Sequence, residues 1–473
     1  MGELKGKIGL EIHAYPVTKE KMFCKCRAKR GKGVDPNRYI CPICCGMPGA
    51  KPMLVNKSAV EKTVLIGKML GCKIEKIWKW QRKHYDWPDM PKGYQNTVSG
   101  GLSKSVGSDG KFDGIGISSM HLEEDPASWN PETGGVDYNR SGLPLVEIIT
   151  EPDFSTAEEV TSWLKRLVHH LGYLKIIDSA DKKSADSTTL RGRGVVDKDA
   201  GIKVDVNVSI PGKSERVEIK NINSIENIGK AIEYELSRQG KEGGKVKETR
   251  RWNSLKGKTE VMRKKEGADD YRFITDPDLR DVEVTEKFIS DLEKKLPESP
   301  DAKLNKLIKK HKIGKKSAEI LARNIDVIEF YEKIIDKGVD AKFALPWVTI
   351  ELLRYLNYNK TSLDKVDLKV EDFVSLLNLV KEKKITELQG KQILNKFYPK
   401  SFNPEGKVQG RIDDEKELEK IIEKVIGKNK KSVEDYKKGE KNAFNYLIGE
   451  VMRETNRRAD YVVARKVLKK MLK

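Results

Sequence analysis

The sequence has no run of apolar residues long enough to cross a membrane. A membrane-spanning helix needs roughly 18 or more consecutive apolar residues, and the 473-residue sequence contains no such run. The first residues also lack the apolar segment of a secretory signal peptide. We therefore expect a soluble, cytoplasmic protein with no membrane partner.

Several common catalytic motifs are also missing. The sequence contains no GxxxxGKS or GxxxxGKT phosphate loop, no GxGxxG turn after a strand, no HExxH zinc-protease motif and no GxSxG nucleophile elbow. Any nucleotide would therefore have to be held by metal ions and cationic side chains.

Acidic residues are fewer than basic ones. Lys and Arg number 92 against 72 Asp and Glu, which gives a formal net charge of +20 at pH 7. Such an excess favours a polyanionic partner such as a nucleic acid, although a lysine-rich proteome would also produce it. The length predicts roughly two to four domains.

Cysteine is scarce, but its spacing is specific. Four of the six cysteines form a CxC pair and a CxxC pair separated by 14 residues: Cys24, Cys26, Cys41 and Cys44. This spacing is close to that of structural zinc sites, and disulfides are the weaker alternative in a protein without an export signal. We predict one zinc ion here and interpret Cys45 and Cys72 as core thiols.

The segment from Ser119 to Glu151 concentrates acidic and turn-forming residues. Its HLEEDP motif reads as an extended strand, whose successive side chains point to opposite sides. One side would carry His121, Glu123 and Asp125, and the other Leu122 and Glu124. Clustered carboxylates suit Mg²⁺, which prefers oxygen ligands. The plainer alternative is a solvated acidic loop in a protein that is 35% charged.

A second acidic unit lies near the N-terminus. KIGLEIHAY (residues 7–15) alternates apolar and polar residues like a half-buried strand, with Glu11 and His13 on its polar side. These two residues form either a second metal or phosphate site or a hydrogen-bonded surface pair.

Residues 76–97 interleave aromatic and basic side chains. Such a segment can pair with phosphates while its rings stack on bases; alternatively, the tryptophans belong to the core. The residues concerned include Trp78, Trp80, Arg82, Lys83, Tyr85, Trp87 and Tyr94.

Strand-like alternation ends near residue 285. Residues 1–285 read as a mixed sheet and helix domain, and helical periodicity dominates beyond them. A turn-rich linker (residues 401–410) precedes small helices in residues 411–473. These helices carry candidate RNA-binding cations, for which a solvated helical face is the alternative: Lys430, Lys431, Lys437, Lys438, Arg457 and Arg458.

Together these motifs resemble the B subunits of the tRNA-dependent amidotransferases, which convert Glu-tRNA(Gln) or Asp-tRNA(Asn) to the amidated form. The resemblance runs from Ile8 to the C-terminus. Its most specific parts are IGLEIH (8–13), the four zinc cysteines, CPICCGMPGA (41–50), PDMPKGYQ (88–95), HLEED (121–125), VDYNRSGLPLVEIITEPD (136–153), VEIKNINS (217–224), YRF (271–273) and KKSVEDYKKGEKNAFNYLIGEVM (430–452).

The resemblance implies an α+β protein of three parts. These are a cradle domain with a glutamine synthetase-like fold (1–285), an all-α helical domain (286–405) and a small helical, YqeY-like tail domain that helps to bind tRNA (411–473). A related archaeal protein carries a synthetase-like insert after the cradle. Here the YRF motif is followed within a few residues by the first predicted helix, which leaves no room for that insert.

The resemblance also implies a two-stage reaction by a glutamine-hydrolysing carbon–nitrogen ligase. ATP phosphorylates the side-chain carboxylate of the misacylated amino acid, and ammonia then displaces phosphate to give the amide. This chain shows no Gly-Ser-rich amidase signature, so ammonia would come from a separate A-type amidase chain, with a small C-type chain bridging the two. ATP, Mg²⁺ and Zn²⁺ are the implied cofactors.

Site residues can be carried over by position. The catalytic residues implied in this way are Glu11, His13, Glu123, Glu124 and Glu147, of which Glu11, His13, Glu124 and Glu147 would hold Mg²⁺. The expected phosphate partners are Arg82, Lys83 and Arg140. The four paired cysteines match the family's zinc site.

The chain departs from the family pattern at residues 184–210. The family usually has an EEGSLRCDANIS-like strand there, whereas Lys203 now stands at the position of an arginine, with Asp205 and Asn207 kept. Two rival interpretations stay open: a non-catalytic tRNA-binding scaffold and a free-standing ligase that acts on a small molecule.

Overall fold

The chain folds into two compact units, Met1–Ser299 and Pro300–Lys473. The computed structural model describes residues 5–29, 34–85, 87–177, 202–222, 224–244, 246–264 and 271–472. Most of the divergent segment 184–210 lies outside the described residues, which resume at Ile202.

The described part of the first unit contains sixteen strands. They are β1 (Lys7–Ala14), β2 (Lys73–Ile74), β3 (Ile77–Trp78), β4 (Gln81–His84), β5 (Tyr94–Thr97), β6 (Gly107–Phe112), β7 (Ile115–Glu124), β8 (Ser128–Trp129), β9 (Val136–Asp137), β10 (Pro144–Thr150), β11 (Ile202–Ser209), β12 (Val217–Ile222), β13 (Glu248–Asn253), β14 (Lys258–Lys264), β15 (Arg272–Thr275) and β16 (Val282–Glu283).

Twelve of these strands form one large sheet. Its order is β14-β13-β12-β11-β1-β10-β7-β5-β4-β15, with β6 pairing with β7 and β2 with β6. Among the described pairings in this sheet, β12–β13 is parallel and the others are antiparallel. Antiparallel sheets tolerate one polar side, which is where a site can be built.

Alternation along the central strands gives the sheet an apolar face and a polar face. In β1, Ile8, Leu10 and Ile12 are fully or almost fully buried, whereas Glu11 and His13 on the other side are partly exposed. The apolar residues join one core with four helices: α1 (Lys57–Met69), α2 (Ala157–Tyr173), α3 (Ile225–Glu242) and α4 (Glu286–Glu293). The helices therefore pack on the apolar face.

Helix α4, which begins at Glu286, packs into the core of the first unit. Its Ile289 and Leu292 are buried in the core of the first unit. The amino-acid composition changes where the helices begin, but residues up to Ser299 still belong to the first compact unit.

The second unit consists of helices in its described part. They are α5 (Pro300–His311), α6 (Lys315–Ala322), α7 (Ile325–Asp336), α8 (Ala341–Pro346), α9 (Leu353–Tyr358), α10 (Val370–Lys381), α11 (Glu387–Asn395), α12 (Glu415–Lys428), α13 (Lys430–Lys437), α14 (Lys441–Glu454) and α15 (Tyr461–Met471), with a π-helical turn between α8 and α9. Helices α12–α15 contribute to a separate core. No helix among the described residues has the length and apolar character needed to span a bilayer. The α+β class is confirmed.

Candidate functional site

A compact acidic cluster lies on the polar face, in the middle of the sheet. His13 of β1 pairs directly with Glu147 of β10, and Glu11 shares the side of His13 because alternate residues of a strand point the same way. Glu11 and Glu147 each place a carboxylate oxygen 3.5 Å from His13 Nε2. The structure thus brings together three of the expected catalytic residues.

Hydrogen bonds within this cluster set its charges. Burial opposes the charged form of His13, yet hydrogen bonds with Glu11 and Glu147 raise the pKa of His13 to about 10. Burial would raise the pKa of Glu11, but its own hydrogen bonds with His13 and Glu147 hold that pKa well below its usual range. Burial and the negative charge of Glu123 raise the pKa of Glu147 to about 8. The cluster therefore combines one cation, one carboxylate and one carboxyl group that readily exchanges its proton.

Glu123 and Lys83 lie on the same face beside the cluster. Glu123 is 3% exposed and accepts hydrogen bonds from Thr97 Oγ1 (2.8 Å) and Gln95 Nε2 (2.9 Å), which fix its carboxylate. Burial disfavours the charged Lys83 ammonium, but the charges of Glu123 and Glu147 raise the pKa of Lys83. Lys83 therefore stays charged beside the acidic cluster.

Three further charged residues extend the cluster across two more strands. Asp205 of β11 and Glu218 of β12 place carboxylate oxygens within 4.8 Å of Glu11. Lys220 Nζ lies 2.8 Å from Asp205 and also forms an ion pair with Glu218. The sequence pattern predicts strands here but does not place these residues in the site. Their position depends on how β11 pairs with β12, and this pairing contains a bulge that the sequence pattern does not predict.

Glu124, expected to share the Mg²⁺ site, lies on the other side of the sheet. Glu124 follows Glu123 in β7, so strand alternation directs its side chain away from the polar face. On that opposite side Glu124 pairs with Lys92. Lys92 also donates to Asn96 Oδ1 (2.6 Å). Among the described residues, the acidic groups arranged to hold a metal do not include Glu124. Of the expected quartet, the structure brings Glu11, His13 and Glu147 together and places Glu124 on the other side of the sheet.

The three expected phosphate partners, Arg82, Lys83 and Arg140, do not lie together in the structure. Arg82 is paired with Asp276 and Asp278, each at 2.8 Å, on the side of Glu124. Arg140 lies 3.3 Å from Asp125 and donates to the carbonyl oxygen of Pro126 (2.9 Å). Of the three, Lys83 is the one that the structure places beside the cluster.

The four paired cysteines converge as their spacing predicts. The Sγ atoms of Cys24, Cys26, Cys41 and Cys44 all lie within 4.8 Å of one another. Cys45 is adjacent in sequence but lies outside this group. Four clustered thiols are a donor set that fits a tetrahedral zinc ion.

A buried lysine favours the thiolate form of Cys44. Lys21 is 1% exposed, and its Nζ lies 3.4 Å from Cys44 Sγ and 2.9 Å from the carbonyl oxygen of Tyr138. A hydrogen bond with Cys24 and the charge of Lys21 lower the pKa of Cys44 to about 4 despite burial. A buried ammonium requires a negative partner, and a metal-bound thiolate supplies one.

Four of the expected tRNA-binding lysines lie on one side of α13. Lys430 and Lys437 are seven residues apart, as are Lys431 and Lys438 at the end of the helix, and residues with this spacing share a helix face. All four are exposed, and none forms an ion pair within the described residues. They make a basic stripe along the helix, here called the α13 lysine stripe.

Arg457 and Arg458, the other two expected tRNA-binding residues, lie in the turn between α14 and α15. Arg457 is exposed and Arg458 is half-buried, and the Nε of Arg458 donates to the carbonyl oxygen of Thr455 (3.3 Å). The structure therefore places both arginines in the tail but not on the α13 lysine stripe.

Comparison with known proteins agrees with these features. Residues 6–290 match the family model described as the GatB/GatE catalytic domain, and residues 329–472 match the model described as the GatB domain. The chain is 41% identical to the B subunit of the aspartyl/glutamyl-tRNA(Asn/Gln) amidotransferase of Methanocaldococcus jannaschii, with 97% of this chain and 96% of that protein covered. The identity is 40% to the protein of that name from Methanobrevibacter smithii, with 98% of each chain covered.

Proposed function

Because the chain belongs to the family of aspartyl/glutamyl-tRNA(Asn/Gln) amidotransferase B subunits, we propose that it amidates a misacylated tRNA. Its substrate would be Glu-tRNA(Gln), Asp-tRNA(Asn) or both, and ATP would activate the side-chain carboxylate. The observation that carries this proposal is the cluster of Glu11, His13 and Glu147 on the polar face, with Lys83 beside it.

The chemistry explains why a charged, partly buried cluster is needed. The substrate carboxylate attacks the γ-phosphorus of ATP and releases ADP, which leaves an acyl phosphate. Ammonia then attacks the carbonyl carbon, and phosphate departs with the electrons of the carbon–oxygen bond. Both steps gather negative charge on phosphoryl oxygens, and fixed cations stabilise such charge. Lys83 would supply such a cation, because the charges of nearby acidic groups outweigh the effect of burial and raise its pKa.

The donor atoms of the cluster fit a hard divalent cation. Glu11 and Glu147 supply carboxylate oxygens, with His13 Nε2 between them. Mg²⁺ held there would neutralise charge on the phosphates of ATP. Its binding would require Glu147 to lose its proton and His13 to become neutral, so it competes with the protons that the cluster otherwise holds.

The second unit would contact the tRNA. The α13 lysine stripe offers four exposed ammonium groups, and neutralising phosphates with such groups gives a salt-dependent affinity. Ammonia would come from glutamine hydrolysed by a separate A-type amidase chain, held in one complex with a small C-type chain.

We expect the double variant Lys430→Ala/Lys437→Ala to weaken tRNA binding by about tenfold at low salt. Each lost phosphate contact removes a little less than one unit from the slope of log affinity against log salt. A matched control is Lys466→Ala/Lys470→Ala, which removes two lysines already paired with Glu415 (2.9 Å) and Glu419 (3.1 Å). Equal effects of the two variants on Kd and on the salt slope would contradict a specific role for the α13 lysine stripe.

The whole proposal is tested by ATP hydrolysis in the assembled complex supplied with ammonia. Glu-tRNA(Gln), Asp-tRNA(Asn) and no tRNA are compared in parallel. We expect turnover only with a misacylated tRNA, which would also identify the substrate. Turnover without tRNA would favour a small-molecule ligase, and no turnover in a complex that binds tRNA would favour a scaffold.

A further inference from the structure

Four aromatic side chains form two ring pairs, one with Tyr85 directly after β4 and the other with Trp87 two residues further on. The ring centroids of Trp87 and Trp129 are 5.7 Å apart with an interplanar angle of 87°, and those of Tyr85 and Tyr271 are 5.8 Å apart at 68°. We call these four residues the aromatic corner. Trp87 is 55% exposed and Tyr271 42% exposed. Tryptophan is mostly buried in folded proteins, so this exposure is unusual.

The two loops that carry the tryptophans are fixed to each other. The backbone amide of Ala127 donates to the carbonyl oxygen of Asp89 (2.9 Å), which joins the Trp129 loop to the Trp87 loop. Arg140 lies between Asp125 (3.3 Å) and Asp89 (3.9 Å), so one cation binds both loops. The tryptophan pair is therefore a preformed surface, which would bind a ring without a large ordering cost.

The aromatic corner adjoins the acidic cluster. Lys83 Nζ lies 4.6 Å from the centroid of the Tyr271 ring. Lys83 pairs across β4 and β5 with Gln95, whose Nε2 donates to the Glu123 carboxylate (2.9 Å). From Lys83 to Trp87 the chain spans at most about 14 Å. A ligand stacked on Trp87 would thus have its neighbouring atoms within reach of the reacting groups.

We propose that the aromatic corner stacks the unpaired 3′-terminal base of the aminoacyl-tRNA and so positions the attached amino acid at the acidic cluster. This inference rests on the proposed function. Proteins bind single-stranded RNA ends by stacking bases on exposed aromatic rings. The adenine of ATP is the competing ligand, but a small-molecule site encloses most of its ligand, whereas Trp87 lies open. The exposure favours the end of a macromolecule.

The test compares deacylated tRNA with the same tRNA lacking its 3′-terminal adenosine. Binding is measured without ATP, using the full complex with wild-type chain, Trp87→Ala or Trp129→Ala. We expect loss of the adenosine to weaken wild-type binding by roughly five- to hundredfold, the usual contribution of one stacked base. Either variant should bind intact tRNA with a similar loss and be insensitive to removal of the adenosine. Trp87→Phe, which keeps an aromatic ring, should recover most of the affinity.

Tyr358→Ala is the matched control, because Tyr358 is an aromatic residue 85% exposed in the second unit, and it should leave Kd unchanged. If Trp87→Ala bound both tRNAs as the wild-type chain does, the inference would be wrong. It would also be wrong if the variant raised the KM for ATP and left tRNA affinity intact, because adenine of ATP would then be the ligand. Wild-type amidation measured in parallel tests the proposed function separately, so the two can fail independently.

Discussion

Replacing Glu147 with glutamine is expected to lower tRNA-dependent ATP hydrolysis by about a thousandfold. The substitution keeps the shape of the side chain but removes the carboxyl group whose oxygen lies 3.5 Å from His13 Nε2 and within 4.8 Å of Glu11, so no carboxylate can form there to hold the cation. A divalent cation at a phosphoryl-transfer site stabilises the transition state by several kcal/mol, and each ~1.4 kcal/mol changes the rate tenfold. The tRNA affinity should not change, because Glu147 is distant in sequence from the tail lysines and acts on the reacting phosphates.

Glu124→Gln is the matched comparison, since it makes the same chemical change 23 residues earlier on the other side of the sheet. Glu124 is 6% exposed and pairs with Lys92. Removing one partner of a buried ion pair typically costs about 3–5 kcal/mol of stability. We therefore expect a lower free energy of unfolding, measured with denaturant, and near-normal ATP hydrolysis per folded molecule. The reverse pattern, a stable but inactive Glu124→Gln and an active Glu147→Gln, would place the chemistry on the other face.

Local patterns predicted the strands and helices well, because each depends on neighbouring residues. The alternation in residues 7–15 predicted β1 and its two sides, and the structure buries Ile8, Leu10 and Ile12. The interleaved segment 76–97 was ambiguous. Trp78 and Trp80 are core residues at 0% and 1% exposure, whereas Trp87 is exposed. The segment therefore contains both core tryptophans and an exposed tryptophan. The sequence pattern does not distinguish them, because it does not show which part of the segment packs against the core.

The membership of the site depended on strand order, which local patterns do not contain. Alternation correctly put Glu123 and Glu124 on opposite sides of β7. Only the pairing of His13 with Glu147 and of Glu147 with His121 shows which side is shared with β1. The resemblance carried Glu124 to the metal site by position along the chain, and position along the chain does not fix the side of a sheet. For the same reason the sequence predicts a strand around Lys220 but does not place Lys220 beside Asp205.

Cys44→Ser is expected to remove zinc and to loosen the hairpin that carries Trp129. Cys44 is one of the four clustered thiols that fit zinc, and its Sγ lies 3.4 Å from the Nζ of buried Lys21. Structural zinc contributes on the order of 10 kcal/mol to the folding of its segment. That segment includes Asn37, whose backbone amide donates to Asp137 in β9 (2.9 Å) and so holds the β8–β9 hairpin in place.

The control for this variant is Cys45→Ser, because Cys45 is the next residue and lies outside the thiol group. Elemental analysis of protein purified without chelator should find about one zinc per chain in the wild type and in Cys45→Ser, and far less in Cys44→Ser. Thermal unfolding should show a lower Tm for Cys44→Ser alone. Lost zinc should also weaken binding of intact tRNA, since the hairpin then holds Trp129 less firmly against Trp87. If Cys44→Ser kept its zinc, the four thiols would not be the ligands. If it lost zinc with no change in Tm, the metal would not brace the hairpin.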